Sequence, residues 1–441
     1  MSALHYAFYG DDFTGATDTL AQLARAGMRT LLFLRIPDEM RLADAGPLDA
    51  IGVAGAARSM APAAMREELG AVGARLAALG VRVMHYKVCS TFDSAPHVGS
   101  IGVAMRTLGA YFPNSLRMIV GGQPDLRRYC VFGQLFAATG ADDAQPVYRL
   151  DRHPTMSRHP VTPMHEADLR LHLGAQGIED IESIDWRALD ADGTALAARV
   201  ASSLARAPDA LLFDVQHDAH LGAIGRVMSG HAARMPMLAV GAGSVAQAWV
   251  RAAGARTRPV EVPPGPAAGP VFALAGSLSP RTEAQIEAAV SYRRIRLDPA
   301  SMVDEREGEG YRRAQIETIC AALASGHSVL AYTDRVHIAH FAHVARAADG
   351  DTNALALACA ALLKGVLGQV PVRRVGIAGG DTSSFAVRAL DAWALSYRAT
   401  LAPGVALCRL HADDARLDGV ELMLKGGQMG EADLFERLLH G

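Results

Sequence analysis

Leu4-His5-Tyr6-Ala7-Phe8-Tyr9-Gly10-Asp11-Asp12-Phe13-Thr14-Gly15-Ala16-Thr17-Asp18 runs from an apolar stretch into two carboxylates and then into helical periodicity. Residues 4–8 read as a strand. Thr14 reads as a cap and Gly15 as the opening of an amphipathic helix over 15–26, with Ala16, Leu20, Leu23 and Ala24 on one face and Gly27 just past its end. In open α/β sheets, ligands bind beyond the carboxyl ends of strands, where helix N-termini point inward. Asp11 and Asp12 fall there without a packing role, so they are candidates for handling a proton, a hydroxyl or a metal. The competing reading makes one of them a helix cap and leaves the other solvated.

The same strand–loop–helix grammar recurs downstream. Strands are expected at 31–34, 50–53, 81–88, 118–120 and 211–215, and Thr162-Pro163 reads as the cap and first position of a further helix. Residues 253–270 carry five prolines and three glycines, which no sheet or helix interior tolerates. They divide the chain into a domain over 1–253, a linker over 254–270 and a domain over 271–441. The expected fold class is α/β: two domains, each a mainly parallel sheet flanked by helices, with the active site in the inter-domain cleft.

The second domain repeats its grammar three times. Apolar runs at 271–275, 374–378 and 420–424 lead into Gly276-Ser277-Leu278-Ser279, Gly379-Gly380-Asp381-Thr382-Ser383 and Lys425-Gly426-Gly427-Gln428-Met429-Gly430, each followed by a helix. Small residues at such turns let backbone N–H groups approach an anion, so the set points to a phosphate site. Neither GxxxxGK[ST] nor the protein-kinase motifs occur.

Of 441 residues, half are hydrophobic and the formal net charge is −3, which argues against nucleic-acid or membrane-surface binding through bulk charge. No signal-peptide pattern or long apolar run occurs, and the expectation is a cytoplasmic enzyme acting on small molecules. A homo-oligomer is left open, because no heptad or edge-pairing signal decides it. The five cysteines are scattered and form no CxxC pair. Cys89 reads as a packing residue rather than a nucleophile.

Tyr86-Lys87-Val88-Cys89-Ser90-Thr91-Phe92-Asp93 ends another strand with a cation, two hydroxyls and a carboxylate. A lysine there needs a partner, either an anionic ligand or a nearby acid such as Asp11. Arg152, His153, Arg158, His159, His165 and His172 suit a loop offering donors to a carboxylate better than a metal site, since no HExxH spacing occurs. Gly241-Ala242-Gly243-Ser244-Val245-Ala246, with Glu261 twenty residues on, matches a dinucleotide fingerprint. It carries the rival reading, an NAD-dependent oxidoreductase. A non-catalytic acid-sugar sensor is a third.

Gly10-Asp11-Asp12-Phe13-Thr14-Gly15-Ala16, the segment 87–93, Gly276-Ser277-Leu278-Ser279, Gly379-Gly380-Asp381-Thr382 and Lys425-Gly426-Gly427 together resemble the four-carbon acid sugar kinases, in family order over nearly the whole chain. The resemblance implies an N-terminal acid-sugar-binding domain, a C-terminal ATP-binding domain and phosphorylation of the substrate's terminal hydroxyl. It implies ATP contacts at Ser277, in the loop 379–382 and at Gly427. Many members have Lys-x-Asp-Ser-Thr-x-Arg where this chain has Lys87-Val88-Cys89-Ser90-Thr91-Phe92-Asp93. With Gly99-Ser100-Ile101-Gly102 and Arg128-Tyr129-Cys130-Val131-Phe132-Gly133, the chain is similar to the branch that phosphorylates 3-oxo-tetronate at its C4 hydroxyl. D-threonate and D-erythronate are the alternative substrates.

The expected mechanism follows. ATP phosphates lie on the three loops, at Ser277, Ser279, Gly379, Gly380, Asp381, Thr382, Gly426 and Gly427, with Mg²⁺ and Asp381 as its candidate ligand. Lys87, Ser90, Thr91 and either Arg152 or Arg158 hold the acid. Asp12, or else Asp11, orients or deprotonates the attacking hydroxyl.

Overall fold

The computed structural model describes residues 4–113, 116–139, 145–159, 161–252, 263–277, 279–333 and 354–441. The chain divides into two compact units, Met1–Val260 and Glu261–Gly441. Much of the Pro-rich stretch, Pro259 and Glu261 included, lies outside the described residues, as does Leu278.

In the first unit, β1 (Tyr6–Gly10), β2 (Thr30–Phe33), β3 (Ala50–Ala54), β4 (Val83–Lys87) and β5 (Leu116–Val120) are joined by β9 (Ile181–Ile184), β10 (Ala210–Phe213) and β11 (Met237–Gly241). The strand order is β2-β3-β1-β4-β11-β5-β10-β9, and every pairing is parallel. The small antiparallel sheet β6 (Arg128–Val131), β7 (Gln134–Ala138) and β8 (Val147–Arg149) interrupts the run between β5 and β9. Gly10 pairs with Lys87, Lys87 with Gly241 and Gly241 with Val120. Four strand ends therefore stand side by side, each releasing its loop at the same edge.

Strands buried on both faces are apolar throughout, as a parallel sheet covered by helices requires. Buried polar residues break the pattern at Thr30 in β2 and at His85 and Lys87 in β4, with His85 at the strand's centre. His85 Nε2 faces the Gly241 carbonyl at 3.0 Å, which leaves Nδ1 to accept from the Tyr6 hydroxyl at 2.8 Å. The imidazole thus ties β1, β4 and β11 together in its neutral form. Burial, with Lys87 nearby, pushes its pKa from 6.5 down to about 3, against the hydrogen bond to Gly241. Between those two pH values the unfolded chain binds a proton that the folded chain does not, so stability falls as the pH drops through that window. His85→Gln keeps an acceptor and a donor without titrating. Its melting temperature is expected to fall less between pH 7 and pH 5 than that of the wild type, and parallel falls would place the acid sensitivity elsewhere.

The helix Phe13–Arg25 begins two residues before the sequence expectation. Its N-cap is Asp12 rather than Thr14, because the Asp12 carboxylate reaches the Gly15 N–H at 2.7 Å. Gly27 ends it at φ +85°, with its N–H on the Ala24 carbonyl. The helix expected at Thr162 does not form there. Thr162 donates its N–H to His159 Nδ1 at 3.1 Å, and the helix starts at Leu169, where Asp168 caps the Arg170 N–H.

The second unit orders its strands β13-β14-β12-β15-β18-β17-β16, where β12 is Val271–Ala275, β13 Arg293–Arg296, β14 Val329–Tyr332, β15 Arg374–Ala378, β16 Ala392–Ala402, β17 Val405–Ala412 and β18 Glu421–Lys425. The five from β13 to β18 in that order are parallel, and β17 and β16 continue antiparallel. Ala275, Ala378 and Lys425 share one register line, so the three glycine-rich loops leave adjacent strands at one level.

Candidate active site

At the strand ends of the first unit, Asp11 and Asp12 are both buried, and both are held by a residue the sequence did not single out. Arg58, in a single 3-10 turn after β3, places Nη2 2.9 Å from Asp11 Oδ1 and Nη1 2.8 Å from Asp12 Oδ2. Its backbone N–H also donates to the Asp11 carbonyl at 3.1 Å. One guanidinium thus clamps two adjacent carboxylates, a bidentate use that lysine could not reproduce.

The two acids are tuned in opposite directions. Burial would raise Asp12, but Arg58, Lys87 and the hydrogen bonds from Gly15 and Thr14 outweigh it and hold its pKa below the ordinary carboxylate value. Thr14 adds its hydroxyl to Asp12 Oδ2 at 2.8 Å. Asp11 is raised, because burial and the neighbouring Asp12 prevail over Arg58 and Lys87. Neighbouring acids split in this way are a common arrangement where one is to take a proton.

Lys87, at the end of β4, is buried, and its Nζ donates to the Val88 carbonyl at 2.7 Å. A Cβ on Gly15 would lie 2.5 Å from that Nζ and 2.7 Å from Asp12 Oδ1, so the helix start, the lysine and the acid meet around a glycine. Beyond Lys87 the chain turns through Phe92, a fully buried non-glycine residue at φ +54°. Thr91 donates to Asp93 at 2.6 Å within that turn, and Ser90 is half-buried. Strain of this kind is often found where a segment is held for function.

Arg152 and Arg158 are exposed on single 3-10 turns, and neither makes a polar contact with Asp11, Asp12 or Lys87. His153, His159 and His172 make structural hydrogen bonds instead. His153 Nδ1 accepts the Thr155 and Met156 N–H groups, and His172 bonds Ser94. Gln176 Oε1 covers the start of the helix Ile101–Gly109, accepting from Ile101 at 2.8 Å.

Asp190, His217 and His220 do bring three ligand-type atoms together among the described residues. His220 Nδ1, however, accepts the Gln216 N–H at 3.2 Å, so its ring proton sits on Nε2 and is donated to Asp190 at 3.0 Å. A metal at Nε2 would drive that proton onto Nδ1, against an N–H already facing it. The Cys89 thiol is pushed up to about 11 by burial and Asp93, which removes it as a nucleophile.

The dinucleotide-like loop Gly241–Ala246 meets an acid rather than open space. A Cβ on Gly243 would stand 2.3 Å from the Asp18 carboxylate. A pyrophosphate there would confront a buried negative charge, and Glu261 lies outside the described residues. These glycines serve close packing, not phosphate binding.

In the second unit the three loops interlock. Gly276 donates its N–H to the Ala378 carbonyl and Gly379 donates its own to the Lys425 carbonyl, both at 3.0 Å. Thr382 donates its hydroxyl to the Gly276 carbonyl at 3.1 Å. Added Cβ atoms would meet Thr382 Oγ1 at 2.6 Å from Gly276, the Gly276 carbonyl at 2.8 Å from Gly379, and Ser277 Oγ at 2.9 Å from Gly427. Gly379, at φ +121°, also holds a backbone conformation that side chains avoid. Ser279 caps the helix Pro280–Ala288, and Gly379 precedes the helix Gly380–Ala389, whose first turn carries the exposed Asp381. Lys425 is wholly buried, donating to Gln285 at 2.6 Å and Thr282 at 2.8 Å, and burial next to Arg281 brings its pKa down to about 7. It braces the loops from beneath. Gly379→Ala is expected to weaken ATP binding about tenfold or more through strain and collision, while leaving acid binding intact. Calorimetric titration with each ligand separates the two.

Residues 6–249 match the sugar-binding N-terminal domain, and residues 272–435 the nucleotide-binding C-terminal domain of a known family. The chain is 39% identical, over all of its length and 95% of the relative's, to a protein of Paraburkholderia graminis named 3-oxo-isoapionate kinase. It is 30% identical to a Methylobacterium radiotolerans protein named 3-oxo-tetronate kinase, over 97% of each chain. A Cupriavidus necator protein of the same name is 31% identical over 97% of this chain and 95% of its own. A solved Salmonella typhimurium LT2 structure shares the fold at a TM-score of 0.78 and 24% identity over 98% of both chains. No helix among the described residues is long and apolar enough to cross a membrane. With a sugar-binding half and a nucleotide-binding half matched in order, the chain belongs to the four-carbon acid sugar kinase family and is a carbohydrate-acid kinase.

Proposed function

We propose that the protein transfers the terminal phosphoryl group of ATP to the C4 hydroxyl of a small 3-oxo sugar acid, with 3-oxo-tetronate as the first candidate. The observation that carries this reading is the split carboxylate pair on Arg58 beside Lys87: a proton acceptor and cationic groups at one edge of the sheet. Phosphoryl transfer needs an oriented hydroxyl and charge neutralisation more than covalent chemistry, and these groups suit both needs.

Asp12 spends its oxygens on Gly15, Thr14 and Arg58, so it acts as a strut. Asp11, with its higher proton affinity, takes the proton of the attacking hydroxyl. Lys87 and Ser90 supply donors to the acid's oxygens, and Thr91 holds their turn through Asp93. ATP supplies the phosphoryl group, and Mg²⁺ offsets its charge. The crowded glycine cradle fits phosphates, with Ser277, Ser279, Gly379, Gly380, Thr382, Gly426 and Gly427 against them and Asp381 as the carboxylate for Mg²⁺.

The higher identity to the Paraburkholderia graminis protein favours a second reading, 3-oxo-isoapionate, and both relatives' names specify a 3-oxo acid. ADP release from MgATP with 3-oxo-tetronate, 3-oxo-isoapionate, D-threonate and D-erythronate tests the proposal. Fastest turnover on 3-oxo-tetronate supports the first reading, and fastest turnover on 3-oxo-isoapionate supports the second. Turnover confined to D-threonate or D-erythronate overturns the 3-oxo assignment.

A further inference from the structure

Arg128 is the first residue of β6. Its backbone is stitched to the loop after β5: Gln123 donates its N–H to the Arg128 carbonyl at 2.8 Å, and Arg128 donates back to the Gln123 carbonyl at 3.1 Å. That loop leaves β5 beside β11, whose end pairs with Lys87, so Arg128 stands at the same sheet edge as the acid pair.

Its side chain is half anchored and half idle. Nη1 donates to three carbonyls, those of Leu126 at 2.8 Å, Ala138 at 3.2 Å and Arg127 at 3.3 Å. Nε is buried and meets no acceptor, and Nη2 makes no hydrogen bond among the described residues. Asp93, in the strained turn 89–93, acts on it through space, yet no ion pair forms between them, and the Asp93 carboxylate takes the Thr91 hydroxyl instead. Burial lowers the Arg128 pKa despite these neighbours, as expected for a guanidinium lacking a counter-charge. A buried guanidinium N–H without an acceptor is costly, and carbonyl dipoles on Nη1 leave the charge itself uncompensated.

An arginine fixed through Nη1 presents the Nε–Nη2 edge, two parallel N–H donors matched to a carboxylate. We infer that Arg128 is the residue that binds the carboxylate of the acid substrate, its Nε and Nη2 donating to the two carboxylate oxygens while Nη1 holds the guanidinium in place. The inference rests on the reading of this unit as the acid-binding one. It assigns the carboxylate to a half-buried arginine rather than to the exposed Arg152 and Arg158, and it makes Arg128 the residue that distinguishes a sugar acid from a neutral sugar.

The test compares 3-oxo-tetronate with erythrulose, the neutral ketose carrying a hydroxymethyl group in place of the carboxylate, in wild type, Arg128→Gln and Arg128→Lys. Loss of a charge-assisted fork is expected to raise KM for the acid about 10- to 100-fold in Arg128→Gln. Turnover of erythrulose and the Kd for ATP should change less than threefold, and Arg128→Lys should recover part of the loss. Equal losses on acid and ketose, or a matching loss of ATP affinity, would show that Arg128 only props up the β6–β8 sheet and would overturn the assignment. If the wild type phosphorylates neither compound, the proposed reaction fails. Calorimetric binding of the same acid then judges Arg128 alone: weaker binding in Arg128→Gln upholds it, and unchanged or absent binding in both proteins refutes it.

Discussion

Asp11→Asn is expected to lower kcat about 10²- to 10⁴-fold, the range for removing a general base, while leaving the Kd for ATP unchanged. Asparagine preserves the shape and can still accept from Arg58, so the folded state should survive. The pH profile adds a second readout. Because Asp11 titrates above the ordinary carboxylate value, the acid limb of kcat/KM should lie above about pH 4, where a normal aspartate would place it. Asp12→Asn should behave differently. Its oxygen can still cap Gly15, so its main loss is the charge that faces Arg58 and Lys87, with a smaller fall in kcat. A larger kcat loss in Asp12→Asn than in Asp11→Asn would reverse the two roles. Steady-state kinetics of both variants on the acid identified in the ADP assay decides between them.

Arg58→Met is expected to be the most damaging substitution in the first unit. Two adjacent carboxylates, 4% and 10% exposed, would lose their shared cation. Breaking a buried pair by removing one partner costs about 3–5 kcal/mol, and the lower end applies because Arg58 is itself 24% exposed. Both acids would then be pushed up together, so the loss of stability should shrink at low pH, where they are protonated and need no cation. Urea denaturation at pH 7 and pH 5 measures this. A deficit that stays constant across that range would mean the clamp is worth little. Activity should fall with the clamp, since Asp11 would lose both its position and its ionised form near neutrality.

Much of this site was legible in the sequence, because its signals are local. Acids just past an apolar strand, a lysine ending another strand, and three glycine-rich turns each following an apolar run all report position without tertiary knowledge. The structure places the three turns on adjacent parallel strands at one register level. Arg58 was not legible. It sits in Gly55-Ala56-Ala57-Arg58, with no motif around it, and only the pairing of β1 with β3 brings it to the acids. The cap was misjudged by two residues, because whether Asp12 or Thr14 closes the first turn depends on side-chain reach and not on residue type. The dinucleotide-like loop deceived for a similar reason: its glycines fit the pattern, but the Asp18 carboxylate facing Gly243 comes from another helix. Arg152 and Arg158 were attractive by composition, yet the turns that carry them leave them at the surface.

The two units write their recognition in different alphabets. In the second, the loops touch at Gly276, Gly379 and Gly427 so closely that a single added carbon would strike a neighbour, so the nucleotide site proposed there is encoded in backbone and admits almost no variation. In the first, the groups proposed to face the acid are side-chain ends, those of Asp11, Lys87 and Arg128, each carried on its own strand end or loop. A lineage built on this chain can therefore change its diet while keeping its fuel: new acids are reached by point substitution in one half, and the other half is passed on intact.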